Sequence, residues 1–383
     1  MLFQQAMASM STLVLPVVAP EMSVDTGMPA SLIGAYWMFI FGIGFFASLG
    51  CGGYIQRFGP LRVSQLALVC MGAGLLVSAT GSPWLIAASC LPLGVGAAIS
   101  TPCSTAILAK ITTPRHAPLI FSLKQTGVPV GGMLAGLLVP FFALRFGWQG
   151  AFLGCGGICL VYAVLLQPLR SVYDDDRAPA KGFDFNSIFV LLKSILTTPK
   201  YRQLAFTWWA YVGVQAIFGT FFVTYLVQEL DHDLALAGLI FAGAQVASVV
   251  ARVVWGWLCS RFISPQLMLA ILGVIIVGSA LTTGAITDDW SIVSVALVAV
   301  VYSASAVSFH GVAIAEIVRV LPTDEVSAKA GGILSFAMLG MMSYPALFGI
   351  ILQVTESYAI GFWASAVPAL IVCVNLFRRV HKG

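Results

Sequence analysis

The chain has 383 residues, of which 59% are hydrophobic and only 9% are charged. Soluble domains carry about 25% charged residues, so this composition excludes a soluble globular protein, and its apolar content excludes a disordered one. The net charge of +4 is too small to indicate a nucleic-acid partner. Lipid is the expected solvent, and the apolar stretches are too long and alternate too little for a transmembrane barrel.

Charges and turn residues divide the chain into twelve apolar stretches, which predict an all-α membrane protein with twelve transmembrane helices. The predicted spans are residues 1–20, 31–56, 63–80, 84–109, 118–143, 149–167, 203–228, 236–259, 266–286, 291–317, 327–353 and 358–377. The first is predicted to be a span and not a cleaved signal peptide, because it lacks a basic start. It begins at Met1 itself, which leaves open whether natural residues precede it.

The basic residues predict the orientation. Sixteen of the nineteen Lys and Arg residues lie in the even-numbered connections or at the C-terminus, whereas the odd-numbered connections contain only Arg145. Connections that stay in the cytoplasm are enriched in Lys and Arg. We therefore expect both termini in the cytoplasm and a multi-pass protein of the inner (cytoplasmic) membrane.

One connection, residues 168–202, is long and polar, and it separates two sets of six spans. We predict an N-terminal six-helix bundle at 1–167, a cytoplasmic linker at 168–202 and a C-terminal six-helix bundle at 203–383. Apolar residues at helical spacing in 185–196 predict an amphipathic helix within the linker, lying at the membrane surface. The acidic run 174–176 is expected to be solvated and not to bind a metal.

The two sets of spans resemble each other. Span 2 leaves the membrane through 52–58 (GGYIQRF), and span 8 leaves it 204 residues later through 256–262 (GWLCSRF). Two further matches are nine-residue glycine spacings in spans 5 and 11 and a basic residue at the ends of spans 4 and 10: Gly127 with Gly136, Gly340 with Gly349, and Lys110 with Arg319. Three matches in chain order indicate duplicated halves, an architecture found in transporters.

The connection after span 2, residues 52–62 (GGYIQRFGPLR), resembles the G-x-x-x-D-R-x-G-R-R/K motif of the major facilitator superfamily. Gly52, Arg57 and Gly59 match the motif. Gln56 replaces the acidic residue, and Pro-Leu replaces the basic pair, so the charges usually assigned to that loop are altered.

Span 5 contains the sequence GVPVGGMLAG at 127–136, similar to the glycine-rich fifth helix of that superfamily. The four-residue spacings, such as that between Gly127 and Gly131 and the one that ends at Gly136, let helix backbones approach closely in lipid. Static packing and a sliding contact explain them equally well. The resemblance implies two bundles, alternating access and a site between them, and it implies no substrate.

Two cations lie inside predicted spans, where a charge is costly and marks a candidate site. Arg252 is nine residues before Arg261, and Gln245 lies two turns away on the same face of span 8. Lys124 is six residues into span 5. The sequence shows no acidic residue at matching depth, so we expect Lys124 and Arg252 to bind an anion between the halves; the alternatives are snorkelling and structural pairing.

Four further polar residues are candidates. Tyr211 and Gln215 share a face of span 7 and are predicted to contact an organic ligand, with packing as the alternative for Tyr211. His310 is a candidate for ligand contact and, because imidazole titrates near neutral pH, for proton coupling. Glu316 is a second proton-coupling candidate, but an i,i+3 pair with Arg319 is the favoured interpretation.

These observations predict a secondary active transporter, a symporter or antiporter of a small organic anion such as a carboxylate, with protons as the coupling ion. The alternative is an efflux pump for amphipathic drugs or metabolites, since the candidate cavity residues are largely aromatic. Motifs for zinc peptidases, serine hydrolases and ATP binding are absent from the sequence, so no enzymatic activity is expected. We expect no cofactor, no metal, no nucleic-acid partner and a monomer in the bilayer.

Overall fold

The computed structural model describes residues 1–111, 120, 123–174, 185–321 and 326–380, and within them the regular structure is helical throughout. The helices are α1 (Leu2–Thr26), α2 (Leu32–Phe58), α3 (Pro60–Ser78), α4 (Pro83–Ile111), α5 (Gly127–Leu165), α6 (Phe185–Thr197), α7 (Pro199–Gln228), α8 (Leu234–Arg261), α9 (Pro265–Thr283), α10 (Ile292–Tyr302), α11 (His310–Val320), α12 (Val326–Thr355) and α13 (Tyr358–Val380). A 3₁₀ turn (Gln167–Leu169) and one helical turn (Arg170–Tyr173) follow α5.

The described residues account for the twelve predicted spans. Ten helical segments are long and apolar enough to cross a membrane, and the apolar stretch Leu32–Ser48 of α2 is an eleventh. One of the ten contains α5, whose 39 residues extend about 58 Å, twice the bilayer core. Gly147 breaks α5 with a φ of 72°, a left-handed conformation that suits glycine. The break falls where the sequence predicts the connection between spans 5 and 6.

The chain divides into two compact units. The first comprises Met1–Phe183 and His232–Ala242, and the second comprises Asp184–Asp231 and Gly243–Gly383. In the first unit, α1 packs on the first half of α5, and α3 packs on its second half. In the second unit, the matching spans pair in the same way, α7 with α12 and α9 with α13. This shared pairing supports the duplication indicated by the sequence.

Two helix boundaries in the first unit differ from the prediction. Helix α1 continues to Thr26, six residues beyond the predicted end, although Pro16 and Pro20 lie inside it. Membrane helices tolerate proline because neighbouring groups satisfy the freed carbonyls. The predicted loop after span 2 is also shorter than expected: α2 ends at Phe58 and α3 begins at Pro60, so Gly59 alone joins them.

Span 10 is not a continuous α-helix. A π-helical turn, Ser303–Val307, separates α10 from α11. Such turns insert one residue into a helix and leave carbonyl groups outside the regular hydrogen-bond ladder.

The predicted amphipathic helix of the linker is α6. It packs on α12 and α7, and a Cβ at Gly332 of α12 would meet the side chains of Leu191 and Ile195. Lys193 lies on the exposed side of α6. The location of α6 at the membrane surface stays a prediction.

Candidate functional site

The first unit contains a hydrogen-bond network around Lys124. The Lys124 side chain is buried, with 4% exposure, and its Nζ donates to the Thr101 carbonyl at 3.2 Å and to Thr105 Oγ1 at 3.1 Å. Thr101 Oγ1 donates to Gln5 Oε1 at 2.8 Å. Neighbouring Gln4 donates through Nε2 to Ser100 Oγ at 3.0 Å. Helices α1 and α4 therefore supply a polar lining to which Lys124 adds a cation.

The ammonium group of Lys124 is far from the helix end. Thr101 and Thr105 precede the last residue of α4, Ile111, by ten and six positions, which corresponds to roughly 9–15 Å along the helix. Burial at that depth means that Lys124 does not snorkel to the membrane surface. Within the described part of the chain, both oxygens that accept from Nζ are neutral, and no carboxylate forms an ion pair with it.

The second unit places Arg252 against the π-helical turn. An Nη2 hydrogen of Arg252 is donated to the Val307 carbonyl at 2.8 Å. One turn further along α8, Trp255 Nε1 donates to the Ala304 carbonyl at 2.7 Å and to Ser308 Oγ at 2.9 Å. The irregular turn thus provides carbonyl acceptors that an uninterrupted α-helix would use internally, and two α8 side chains bind to them.

Polar atoms without a partner gather in the second unit. The buried side-chain atoms there that make no hydrogen bond to a described residue are Gln203 Nε2, Trp208 Nε1, Gln215 Oε1, Gln245 Oε1, Ser303 Oγ, His310 Nδ1 and Tyr344 Oη. Buried polar atoms are nearly always hydrogen-bonded, so such a group marks a place for a polar ligand or water. His310 is a titratable residue of this set, and its ring packs against Trp208 with ring centroids 5.3 Å apart.

The predicted contact residues are only partly brought together. Arg252 bonds to the Val307 carbonyl and lies within electrostatic range of His310. Gln245 and Gln215 are buried, each with a side-chain oxygen available. Tyr211 is fully buried and donates its hydroxyl hydrogen to the Leu269 carbonyl at 3.0 Å, so we remove it from the proposed site as a packing residue.

Glu316 is committed to a neighbour. Its two carboxylate oxygens accept from Arg319 Nε and Nη2, both at 2.7 Å, which is the i,i+3 pair favoured by the sequence. Arg319 Nη2 also donates to Gln266 Oε1 at 3.1 Å. A carboxylate that accepts two hydrogen bonds from an arginine is a poor proton carrier, so the geometry favours a structural role for Glu316.

The glycines of span 5 lie where backbones touch. A Cβ at Gly127 would be 2.5 Å from the Leu2 carbonyl oxygen, and one at Gly131 would overlap the Ala6 carbonyl oxygen, both on α1. Gly136 contacts Gly238 at the start of α8, a segment that belongs to the first unit. Close approach of backbones is thus observed, and a role in movement stays a prediction.

The motif after span 2 has an unexpected partner. Gly52 is inside α2, and the exposed Arg57 lies over the Phe58 ring, 5.2 Å from its centroid. Gly59 has a φ of 91°, and a Cβ there would overlap Asp174. The connection is therefore built around Asp174, which is 113 positions from Leu61 and 112 from Arg62 in the sequence.

Asp174 corrects the expectation that residues 174–176 are solvated. It is buried, with 3% exposure, and its carboxylate accepts from the backbone N–H groups of Leu61 at 2.8 Å and Arg62 at 3.0 Å. It thereby caps the N-terminus of α3, where a negative charge is favoured. Positions 175 and 176 lie outside the described residues.

Thr101, Thr105 and Trp255 were not predicted as site residues. Ser100, Thr101, Ser104 and Thr105 form a hydroxyl-rich stretch inside an otherwise apolar span, which is a signal that the sequence does carry. Trp255 has no such signal, because its role depends on the π-helical turn.

Membrane-spanning helices in two units whose helices pair in the same way define a multi-pass membrane protein with duplicated halves. The model of the Major Facilitator Superfamily matches residues 1–316, and the chain belongs to that family.

The curated relatives found for this chain are the proteins described as probable nitrate/nitrite transporter NarK2 in two strains of Mycobacterium tuberculosis, CDC 1551 / Oshkosh and H37Rv. Each is 26% identical over 252 residues, which is 65% of this chain and 62% of the relative's length. The match thus spans less than two thirds of those relatives.

Solved structures of similar fold include other transporters. A bacterial homologue of the human lysosomal transporter Spinster, inward-facing and occupied, has a TM-score of 0.74 at 13% identity, covering 100% of this chain and 96% of that one. The nucleoside transporter NupG has a TM-score of 0.78 at 12% identity, with 98% of both chains covered. The peptide transporter POT in complex with sulfate has a TM-score of 0.78 at 14% identity, covering 100% of this chain and 93% of that one. At these identities the likeness establishes the fold alone.

Proposed function

We propose that this transporter carries a small anion by alternating access, with an organic carboxylate as the expected class and Lys124 as the principal anion-binding group. The observation that carries the proposal is the position of the Lys124 ammonium, which is buried far from the end of α4. Among the described residues, the oxygens that accept its hydrogen bonds are neutral. A charge at membrane depth costs about 2.5–3.5 kcal/mol even on the mildest scale. Binding an anion offsets that cost, and binding a cation would add to it.

Arg252 supports the same conclusion. Its guanidinium donates to a backbone carbonyl, which fixes the side chain against the π-helical turn without changing its charge. A guanidinium carries five N–H donors in a planar arrangement that matches a carboxylate or another planar oxyanion. An arginine held in this way is suited to recognise the shape of an anion as well as its charge.

The relatives favour an anion. The name of the Mycobacterium tuberculosis proteins refers to nitrate and nitrite, which are planar or bent oxyanions, and the match covers about two thirds of this chain. The identity of 26% does not transfer the substrate, so nitrate and nitrite join the carboxylates as the anions to be tested.

Ligand-induced stabilisation of the purified protein tests the proposal. Monocarboxylates, dicarboxylates, nitrate and nitrite are added separately, with tetraphenylphosphonium as a cationic amphipathic probe. A ligand that binds only the folded state raises stability by about 2.7 kcal/mol at 100 times its Kd, which gives a measurable rise in Tm. We expect at least one anion to stabilise the protein and to be transported by proteoliposomes.

Lys124→Gln is expected to abolish this stabilisation and the uptake, whereas Lys124→Arg, which keeps the charge, retains part of both. Lys193→Gln, at an exposed lysine on α6, is the matched control and should behave as wild type. Stabilisation by tetraphenylphosphonium alone, or equal anion binding in Lys124→Gln and wild type, would contradict the proposal. The first of these results would establish the amphipathic efflux pump as the better function.

For proton coupling we propose His310. Its Nδ1 is buried with no hydrogen-bond partner in the described residues, and its ring packs against the rings of Trp208 on α7 and Phe309. The charged group within electrostatic range of it is Arg252 on α8. His310→Gln is expected to flatten the pH dependence of anion uptake, because the glutamine amide cannot bind or release a proton as imidazole does. His232→Gln, in the connection between α7 and α8, serves as the control. An unchanged pH profile in His310→Gln would remove His310 from the mechanism.

A further inference from the structure

A cleft lies in the second unit, apart from the residues around Arg252. It has a volume of about 670 Å³ and is formed by the beginning of α7 and the end of α13; we refer to it as the α7–α13 cleft. Its described lining residues are Pro199, Arg202, Gln203, Phe206, Trp209, Pro368, Ile371, Val372, Asn375 and Arg378. None of these is acidic, so the cleft is positively charged.

The lining is polar at one end and apolar at the other. On α7, Arg202 and Gln203 precede Phe206 and Trp209 by one to two turns, and all four face the cleft. On α13 the order runs the opposite way along the chain, so Arg378 shares the charged end with Arg202. The seven steps along the helix from Arg202 to Trp209 correspond to roughly 10 Å. The cleft thus runs from a charged mouth into the apolar part of two membrane spans.

The polar end has donors to offer a ligand. Arg202 and Arg378 are exposed, and the amide hydrogens of Gln203 Nε2 are buried with no acceptor among the described residues. Arginine binds phosphate through paired N–H groups, and an amide adds a further donor. These three side chains together suit a phosphate group at the level where lipid headgroups lie.

The apolar end is rigid and open to an alkyl chain. Phe206 packs edge-on against Trp209 with centroids 6.2 Å apart and against Phe336 of α12 at 6.3 Å. Trp209 Nε1 donates to Ser343 Oγ at 3.1 Å, which fixes the indole ring. Phe206 and Ile371 remain 42% and 57% exposed, so their surfaces are free to contact a ligand. A small inorganic anion would leave this apolar length unused.

We propose that the α7–α13 cleft binds an anionic phospholipid, with its phosphate at Arg202, Gln203 and Arg378 and an acyl chain along Phe206, Trp209 and Ile371. The occupant is chosen by charge complementarity at one end and by apolar length at the other. The inference does not depend on the transported substrate, because the cleft uses none of the residues assigned to the anion.

Native mass spectrometry and thermal unfolding of the full-length protein in detergent test this site. The probes are phosphatidylglycerol, phosphatidylcholine and, as the source of free phosphate, inorganic phosphate. Each surface arginine contributes roughly equally to attraction of an anionic lipid, so Arg202→Gln with Arg378→Gln is expected to weaken phosphatidylglycerol binding about 30-fold. Arg261→Gln, at an exposed arginine that also follows a span of the second unit, is the matched control.

Phosphatidylglycerol should remain bound to wild type and Arg261→Gln and raise their Tm, while the double variant loses both effects. The two single variants should fall between, which keeps the test decisive if the double variant is unstable without lipid. Equal retention of phosphatidylglycerol in the double variant would overturn the proposal. Equal stabilisation by phosphatidylcholine or by inorganic phosphate would overturn it as well, the latter by identifying an anion site with no lipid specificity.

Discussion

Each half of the chain has a buried cation near a polar residue, and the two polar residues occupy matching positions of the repeat. The basic residues that end spans 4 and 10, Lys110 and Arg319, are 209 residues apart, and this offset pairs Thr101 with His310. The Thr101 carbonyl accepts from Lys124 in the first unit, and His310 lies within electrostatic range of Arg252 in the second. Both halves therefore have a polar residue at the matching position and a cation close to it.

The cations themselves come from different helices. The glycine match of 213 residues pairs Lys124 of span 5 with Ala337, and the match of 204 residues pairs Arg252 of span 8 with Ser48. Ser48 donates its hydroxyl hydrogen to the Phe45 carbonyl of its own helix at 2.8 Å. The two halves thus share the helix pairing and the position of the polar residue. The charged side chain differs, since it comes from span 5 in the first half and from span 8 in the second.

The largest expected effect tests whether the framework is equivalent in both halves. A Cβ at Gly131 overlaps a carbonyl of α1, and a Cβ at Gly340 would be 2.5 Å from the Trp209 carbonyl oxygen of α7. Because these neighbours are backbone atoms that cannot rotate away, Gly131→Ala and Gly340→Ala should each lower stability by about 3 kcal/mol, measured as a fall in Tm. Gly157→Ala, where a Cβ meets nothing within 4 Å, is the control. Tolerance of either substitution would show that this helix pair differs from its counterpart.

A smaller effect distinguishes the caps of two matching helices. Asp174, from beyond span 6, caps α3 with two hydrogen bonds, whereas Ser264, the residue before α9, caps that helix with one bond to the Leu267 N–H at 3.3 Å. We expect Asp174→Ala to cost about 2 kcal/mol and Ser264→Ala about half as much, by thermal unfolding. Equal losses would mean that the distant carboxylate adds nothing beyond an ordinary cap.

The smallest of these effects concerns the π-helical turn, for which the first unit has no described counterpart on α4. Trp255→Phe keeps most of the packing but removes the donor to the Ala304 carbonyl and Ser308 Oγ, so stability should fall by about 1 kcal/mol. Trp257→Phe, at a position that is 52% exposed, should leave Tm unchanged. If both variants unfold alike, Trp255 is a packing residue only.

Hydropathy and charge were sufficient to predict the spans, because the bilayer imposes length and composition on each helix. The break at Gly147 and helix α6 also follow from local sequence, since a turn-forming glycine and an amphipathic repeat are signals confined to a few residues. The repeat was visible from glycine and arginine spacings alone.

Features that depend on distant parts of the chain were not predictable. The capping role of Asp174 needs the one-residue connection at Gly59, and the acceptors for Trp255 exist only because span 10 contains an irregular turn. Burial of Lys124 also depends on tertiary structure: six residues from the predicted start of its span, a lysine is able to snorkel, and contacts on α4 hold it inside. The sequence pattern gives the depth of a residue along its helix, but it does not show which residues of neighbouring helices form hydrogen bonds with it.

The connection at Gly59 has a mechanical consequence. A single residue between α2 and α3 provides no slack, so a displacement of one helix along the membrane normal carries the other with it. Asp174 ties the start of the linker to the same joint through Leu61 and Arg62. A movement of Asp174 is therefore passed directly to the first turn of α3.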